Sequence, residues 1–98
     1  MINRIVRLSF AEGNVNTFLQ IFEESKALIA SFPGCQELSL MQDADNKLVF
    51  YTYSKWNSAA DLEQYRNSTL FQQTWARTKI LFNDKPAAFS TELLQKVK

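Results

Sequence analysis

The chain has 98 residues, of which 46% are hydrophobic and 13% aromatic, a composition that indicates a single globular domain over residues 1–98 and excludes a disordered chain. Its 11 basic and 10 acidic residues are interspersed and sum to a net charge of +1, so no basic stripe indicates a nucleic-acid partner. The single cysteine excludes an internal disulfide and favours the cytoplasm, and Arg4 and Arg7 interrupt the apolar N-terminus, which indicates neither a signal peptide nor a membrane span.

The first predicted element is a strand over residues 2–10. Apolar and polar side chains alternate along it, which is typical of a strand with one buried face. Val6, Leu8 and Phe10 form the apolar face, and Arg7 and Ser9 lie on the other. Arg4 interrupts the apolar face and has two interpretations. The favoured one is that it pairs with an acid at the sheet edge, and the other is that it meets an anionic ligand in the pocket.

A helix over residues 15–32 follows, with Asn14 as its candidate N-cap. Its apolar residues recur at helical spacing and predict one broad buried face. These residues are Val15, Phe18, Leu19, Phe22 and Ile29, flanked by Ile21 and Leu28. The stretch "FPGC" ends the helix, because Pro33 cannot continue it and Gly34 supplies a turn.

Two strands over residues 35–43 and 47–54 form a predicted hairpin around the turn "DADN". The second strand is apolar on both faces. Leu48 and Phe50 lie on one face, and Val49, Tyr51 and Tyr53 lie on the other. Because two helices cover only one face of a sheet, the other face needs a partner, and a second copy of the chain is the simplest one. We therefore expect a homodimer.

The rest of the chain predicts two helices and a last strand. Ser58 and Asp61 have capping-box spacing and open a short helix that extends to about Tyr65. A helix over residues 69–82 and, after "NDKP", a strand over residues 87–95 complete the chain. The order strand, helix, strand, strand, helix, strand is the ferredoxin-like βαββαβ motif, an α+β fold with an antiparallel sheet and helices on one face.

Three stretches of the sequence stand out together. They are "FPGC" with the strand after it (32–40), the strand end "YSKW" before the helix "NSAADLEQY", and "NSTLFQQTW" (67–75). These stretches resemble the antibiotic biosynthesis monooxygenase family. The resemblance implies a dimeric α/β barrel, in which two subunits pack sheet to sheet and each holds a pocket between its helices and its sheet. Known members oxidise quinols or polyketide phenols without a metal or organic cofactor, a related branch degrades haem, and others have no established activity.

The resemblance therefore implies a cofactor-independent monooxygenase of a small electron-rich aromatic or quinol. Such a site needs an apolar cavity, a group that accepts or orients a proton, and donors for developing negative charge. The chain has no histidine and no carboxylate within an apolar stripe, which leaves a non-catalytic small-molecule-binding or stress-related dimer as the alternative. No metal or cofactor is expected, because no metal-ligand spacing or Gly-rich phosphate loop is present and nothing activates Cys35.

The candidate ligand-binding residues lie on several predicted elements. They are Tyr65, Trp75, Phe71, Phe22, Tyr53 and Arg4. The resemblance implies that Tyr65 and Trp75 both lie at a pocket mouth. The alternative is that Trp75 is a core residue. Tyr53 has two interpretations: it donates a hydrogen bond to a ligand, or it packs in the barrel interior or the dimer, which is the favoured interpretation. Trp56 is interpreted as a structural anchor at the strand–helix corner rather than as a pocket wall.

Haem is not an expected ligand. In the haem-degrading branch, an aromatic residue is followed ten positions later by a histidine that ligates the iron. Tyr65 takes the aromatic place here and Trp75 the histidine place, and an indole N–H has no lone pair to give a metal. Val6 is the nearest match to the Asn that the branch carries on its first strand, and it cannot hydrogen-bond a distal ligand.

Overall fold

Four strands and three helices are present in the computed structural model, which describes residues 1–98. The strands are β1 (Ile2–Ser9), β2 (Cys35–Gln42), β3 (Val49–Trp56) and β4 (Ala87–Thr91), and the helices are α1 (Val15–Ala30), α2 (Ala59–Arg66) and α3 (Thr69–Lys79). Every strand pair is antiparallel, and the sheet order is β2-β3-β1-β4. The predicted α+β ferredoxin-like fold is confirmed.

The strand β3 lies two residues further along the chain than its predicted range. Lys47 and Leu48 belong to the turn, where the Asp43 carboxylate accepts hydrogen bonds from the amides of Asp45 and Asn46 at 3.1 and 3.0 Å. This local hydrogen bonding competes with the strand ladder and delays the start of β3. At its other end the strand continues to Trp56, two residues before Ser58, the N-cap of α2.

The last helix and the last strand are shorter than predicted. The helix α3 ends at Lys79 rather than at residue 82, and Phe82 instead forms an isolated antiparallel bridge with Phe10. The strand β4 ends at Thr91 rather than at residue 95, and Thr91 lies opposite Asn3 of β1. Beyond that pair β1 has almost no residues left to form a ladder, so the chain leaves the sheet.

The buried stripe of α1 differs in three residues from the predicted face, because Leu19 and the flanking Leu28 are exposed and Ser25 is buried. Leu19 is 38% and Leu28 61% exposed. The buried Ser25 hydroxyl is satisfied, because it donates to the carbonyl oxygen of Ile21 at 2.7 Å. Asn14 does not cap α1 with its side chain, and its Nδ2 donates to the carbonyl oxygen of Leu81 at 3.2 Å instead. The side chain therefore links the start of α1 to the segment after α3.

The core lies between α1 and one face of the sheet. It consists of Leu8, Phe10, Phe18, Ile21, Phe50 and Leu81. Phe10 is fully buried, and its ring stacks on Phe18 of α1 with the centroids 4.3 Å apart. This packing holds α1 on the same sheet face that also forms the cavity described below.

The opposite face of the sheet has no helix packed on it. Alternation along the strands directs Ile5, Met41, Tyr51, Tyr53 and Phe89 to this uncovered sheet face. Met41 is 46% and Phe89 58% exposed, and the apolar residues Leu93, Leu94 and Val97 of the C-terminal segment are exposed as well. None of the helices is long and apolar enough to cross a membrane.

Candidate functional site

A cavity of about 340 Å³ lies between the helices and the sheet. All three helices and all four strands contribute to its wall, and 12 of its 20 lining residues are hydrophobic. Its size is at the lower end of the range for small-molecule sites, and its composition is that of an apolar pocket with a few polar groups. The site therefore fits a compact and largely apolar ligand.

Aromatic rings from α2 and α3 form one side of the cavity. Tyr65 meets Phe71 edge to face with the ring centroids 5.2 Å apart, and Phe71 lies nearly parallel to Trp75 at 5.9 Å. Ser68 joins the two helices, because its hydroxyl donates to the Tyr65 carbonyl at 2.6 Å and accepts from the Phe71 amide at 3.1 Å. One side chain thus caps α3 and fixes two neighbouring rings of the wall.

Trp56 lies behind this wall and does not line the cavity. It is fully buried, and its indole Nε1 donates to the Ser54 hydroxyl at 2.9 Å. The interpretation of Trp56 as an anchor at the strand–helix corner is confirmed. The Ser58 hydroxyl accepts from the Asp61 amide at 3.1 Å, as the capping-box spacing predicted, so α2 begins directly after this corner.

Five of the six candidate ligand-binding residues line the cavity. They are Arg4, Phe22, Tyr65, Phe71 and Trp75. Tyr53 does not, because its neighbours Thr52 and Ser54 point into the cavity and successive strand side chains point to opposite faces. Its hydroxyl donates to Asn3 Oδ1 at 3.0 Å on the uncovered sheet face.

Arg4 reaches the cavity from β1 without an acidic partner. Its Nη1 donates to the Ser90 hydroxyl at 2.9 Å, and no carboxylate forms an ion pair with it, so the favoured prediction of an acid at the sheet edge was wrong. The pKa of Arg4 is lowered by burial and by the positive charge of Arg66, and Glu63 opposes this in part. The guanidinium is therefore partly desolvated and incompletely neutralised.

Arg66 is a cavity residue that sequence reasoning missed. It is the last residue of α2, and its Nη1 lies 3.4 Å from Glu63 Oε2 in an exposed ion pair. The signal that could have found it is helical spacing, because Leu62, Tyr65 and Arg66 stand at i, i+3 and i+4 and share one helix face.

The wall contains no group that would accept a proton readily at neutral pH. None of its residues is His, Asp or Glu. Burial, and secondarily the neighbouring Cys35, raises the pKa of Tyr65 to about 12, so its phenol is a hydrogen-bond donor. Burial also raises the pKa of the Cys35 thiol, which disfavours the nucleophilic thiolate. No three His, Cys, Asp or Glu side chains come together as a metal site.

Comparisons with known proteins agree with this architecture. The family model for antibiotic biosynthesis monooxygenases matches residues 1–77. A crystal structure named antibiotic biosynthesis monooxygenase superposes with a TM-score of 0.90 at 14% identity, over 97% of this chain and 100% of that chain. The structure of Rv0793 from Mycobacterium tuberculosis superposes with a TM-score of 0.89 at 15% identity, over 99% of this chain and 98% of that chain. The crystal structure of PA3566 from Pseudomonas aeruginosa superposes with a TM-score of 0.84 at 20% identity, over 96% of this chain and 94% of that chain. At such low sequence identity, these superpositions show a shared fold alone. No curated protein matches the sequence.

Proposed function

Because the chain belongs to the antibiotic biosynthesis monooxygenase family, we propose that it is a cofactor-independent monooxygenase of a small electron-rich phenol or quinol. The observation that carries the proposal is the cavity of about 340 Å³, which is lined mainly by apolar and aromatic side chains and by the neutral Tyr65 phenol. An apolar wall excludes water from a reactive anion, and a neutral donor stabilises an oxyanion that develops on dioxygen.

The proposed reaction needs only the ring, dioxygen and the loss of the phenolic proton. The phenolate gives an electron to dioxygen, and a bond then forms between a ring carbon and one oxygen atom. The resulting hydroperoxide breaks its O–O bond and loses water, which leaves a carbonyl on the ring. One oxygen atom stays in the quinone, the other leaves in water with the phenolic and the ring hydrogen, and the substrate supplies all the electrons. In this proposal the Tyr65 hydroxyl, a neutral donor in the cavity wall, donates a hydrogen bond to the reduced dioxygen.

A second function is favoured by one specific observation. No His, Asp or Glu lines the cavity, so the protein offers no ordinary general base for the phenolic proton. A protein that only binds a small aromatic molecule would need no such base. The same cavity therefore supports a non-catalytic binding or stress-related protein as the competing candidate.

Oxygen uptake separates the two functions. Metal-free protein is incubated with a panel of quinols and phenols, and the uptake rate is compared with buffer alone and with Tyr65→Phe, which keeps the ring but removes the hydroxyl. A monooxygenase consumes oxygen above the buffer rate, incorporates one atom from labelled dioxygen, and is slowed in the variant. Binding of panel members without any uptake would favour the non-catalytic candidate.

We also propose that the protein works as a homodimer that buries the uncovered sheet face. The apolar and aromatic residues of this face are Ile5, Met41, Tyr51, Tyr53 and Phe89, and Met41 and Phe89 remain 46% and 58% exposed in the single chain. Packing two such sheets into a barrel would form an obligate interface with on the order of 2,000 Å² of total buried surface. The single free cysteine supports a cytoplasmic location.

A further inference from the structure

The cavity wall carries positive charge without any acid in the wall to balance it. Arg4 and Arg66 are its only ionised side chains. Arg4 forms no ion pair, and its one hydrogen bond is to the neutral Ser90 hydroxyl. A guanidinium has five N–H donors, so most of the donors of Arg4 remain available.

Arg66 is only weakly engaged by its acidic neighbour. The ion pair with Glu63 is 3.4 Å long, and the side chains are 45% and 61% exposed. Exposed pairs of this kind contribute little and are readily exchanged for a better partner. The Arg66 guanidinium can therefore also donate to a ligand in the cavity.

The two guanidinium groups repel one another across the site. Both groups line the same cavity, and the pKa of Arg4 is lowered by burial and then by the positive charge of Arg66. An anion near both would relieve this repulsion, and the apolar wall would strengthen its attraction relative to water. A neutral ring would leave Arg4 without an ion-pair partner and Arg66 with only its exposed pair to Glu63.

We infer that the cavity selects a planar aromatic ligand that bears an oxyanion on its ring, a phenolate or a carboxylate, and that Arg4 and Arg66 provide this selection. The inference rests on the proposed function for the aromatic nature of the ligand, but it concerns binding and needs no turnover. It also explains how a site without a general base could hold an ionised phenol, because the positive wall would favour the phenolate over the neutral phenol.

Three probes of similar shape test the inference by calorimetric titration of the whole protein. Para-nitrophenolate and para-nitrobenzoate carry the two kinds of oxyanion, and para-nitroaniline is neutral. We expect at least one anion to bind about tenfold or more tightly than the aniline, as charge-assisted hydrogen bonds predict. The more tightly bound anion identifies the oxyanion type, and the absorbance of bound nitrophenol should show the phenolate at a lower pH than in buffer.

Charge-matched variants locate the selection. Arg4→Gln and Arg66→Gln should each lose about tenfold in affinity for the preferred anion and leave the affinity for nitroaniline unchanged. Arg77→Gln removes the same charge from an exposed position of α3 that pairs with Glu24 at 3.5 Å and does not line the cavity, so it is the control. Arg66→Gln, at an exposed helix end, keeps the test valid if Arg4→Gln fails to fold.

Equal affinity for all three probes, no binding of any of them, or an equal loss in Arg77→Gln would overturn the inference. These results are distinct from failure of the proposed function. Anion selectivity without oxygen uptake would leave the inference in place and remove the monooxygenase. Oxygen uptake together with equal affinity for charged and neutral rings would support the monooxygenase and overturn the inference.

Discussion

The ring of Tyr65 stacks on the indole of Trp56, with the centroids 4.9 Å apart and the planes inclined by 24°. Phe32, from the turn after α1, meets both rings at an angle, with its centroid 5.4 Å from that of Tyr65 and 6.4 Å from that of Trp56. Tyr65 lines the cavity and Trp56 is fully buried. The aromatic wall is therefore continuous with the buried strand–helix corner at Trp56, and a change at that corner should reach the site.

The hydrogen bond of Trp56 provides the first prediction. Trp56→Phe removes the indole donor and leaves the buried Ser54 hydroxyl without it, so we expect the free energy of unfolding to fall by about 1–3 kcal/mol. Urea denaturation measures the loss. Ser54→Ala should be less damaging in the Trp56→Phe background than in the native chain, and equal effects in both would show that the bond contributes nothing.

The turn at Gly34 provides the second prediction. Its φ is +90°, and an added Cβ would lie 2.5 Å from Cβ of Asp61 in α2. Gly34→Ala should therefore lower the free energy of unfolding by about 2 kcal/mol or more, since it combines backbone strain with a clash. Gly13→Ala is the matched control, because its Cβ would meet nothing within 4 Å. Thermal unfolding of both variants decides the matter, and equal melting temperatures would contradict the strain.

The third prediction concerns stability at alkaline pH. The folded protein raises the pKa of Tyr65 from 10.0 to about 12, so the folded state holds the phenolic proton more tightly than the unfolded state. The contribution of this pKa shift to the free energy of unfolding is fully present below pH 10 and is lost as the pH rises through about 12. It amounts to at most about 2–3 kcal/mol.

Urea unfolding of the native chain and of Tyr65→Phe, measured from pH 8 to pH 12 in steps of about one unit, isolates the effect. The native chain should lose more stability than the variant over the alkaline part of the range, because only the native chain carries the shifted phenol. Parallel curves for the two proteins would mean that Tyr65 ionises as freely in the folded state as in the unfolded one.

The fourth prediction tests the homodimer. Phe89 lies on the uncovered sheet face and is 58% exposed in the single chain, so Phe89→Arg should place a charge in the interface and dissociate the dimer. Ile80→Arg introduces the same residue at a 75% exposed position directly after α3 and should leave the dimer intact. Sedimentation equilibrium at low micromolar concentration gives the masses. A native mass near 11.3 kDa, that of one chain, would refute the dimer.

The fifth prediction concerns haem. The chain has no histidine, and the indole N–H of Trp75 in the cavity wall has no lone pair to give to iron. Titration with hemin should give only weak binding, with no stoichiometric Soret shift. A sharp shift that disappears in Tyr65→Phe would instead identify Tyr65 as a ligand, since tyrosinate can bind haem iron.

Local patterns in the sequence were sufficient for the order and type of the elements. Alternation in β1 and helical spacing in α1 reflect the 2.0 and 3.6 periods of strand and helix, which depend only on neighbouring residues. The Ser58 cap is local for the same reason. The ends of α3 and β4 were predicted too far along the chain, because Phe82 is held by Phe10 and β4 stops where its partner β1 ends.

Only the tertiary structure decided which of these residues meet. Both faces of β3 are apolar, so its period could not tell that Thr52 and Ser54 face the helices while Tyr53 faces away. The positive charge of the cavity also depends on long-range packing, because Arg4 and Arg66 come from the first strand and the end of α2. Sixty-two positions separate them (66 − 4), and no local period can relate side chains at that distance; they share a cavity because α2 packs against the sheet.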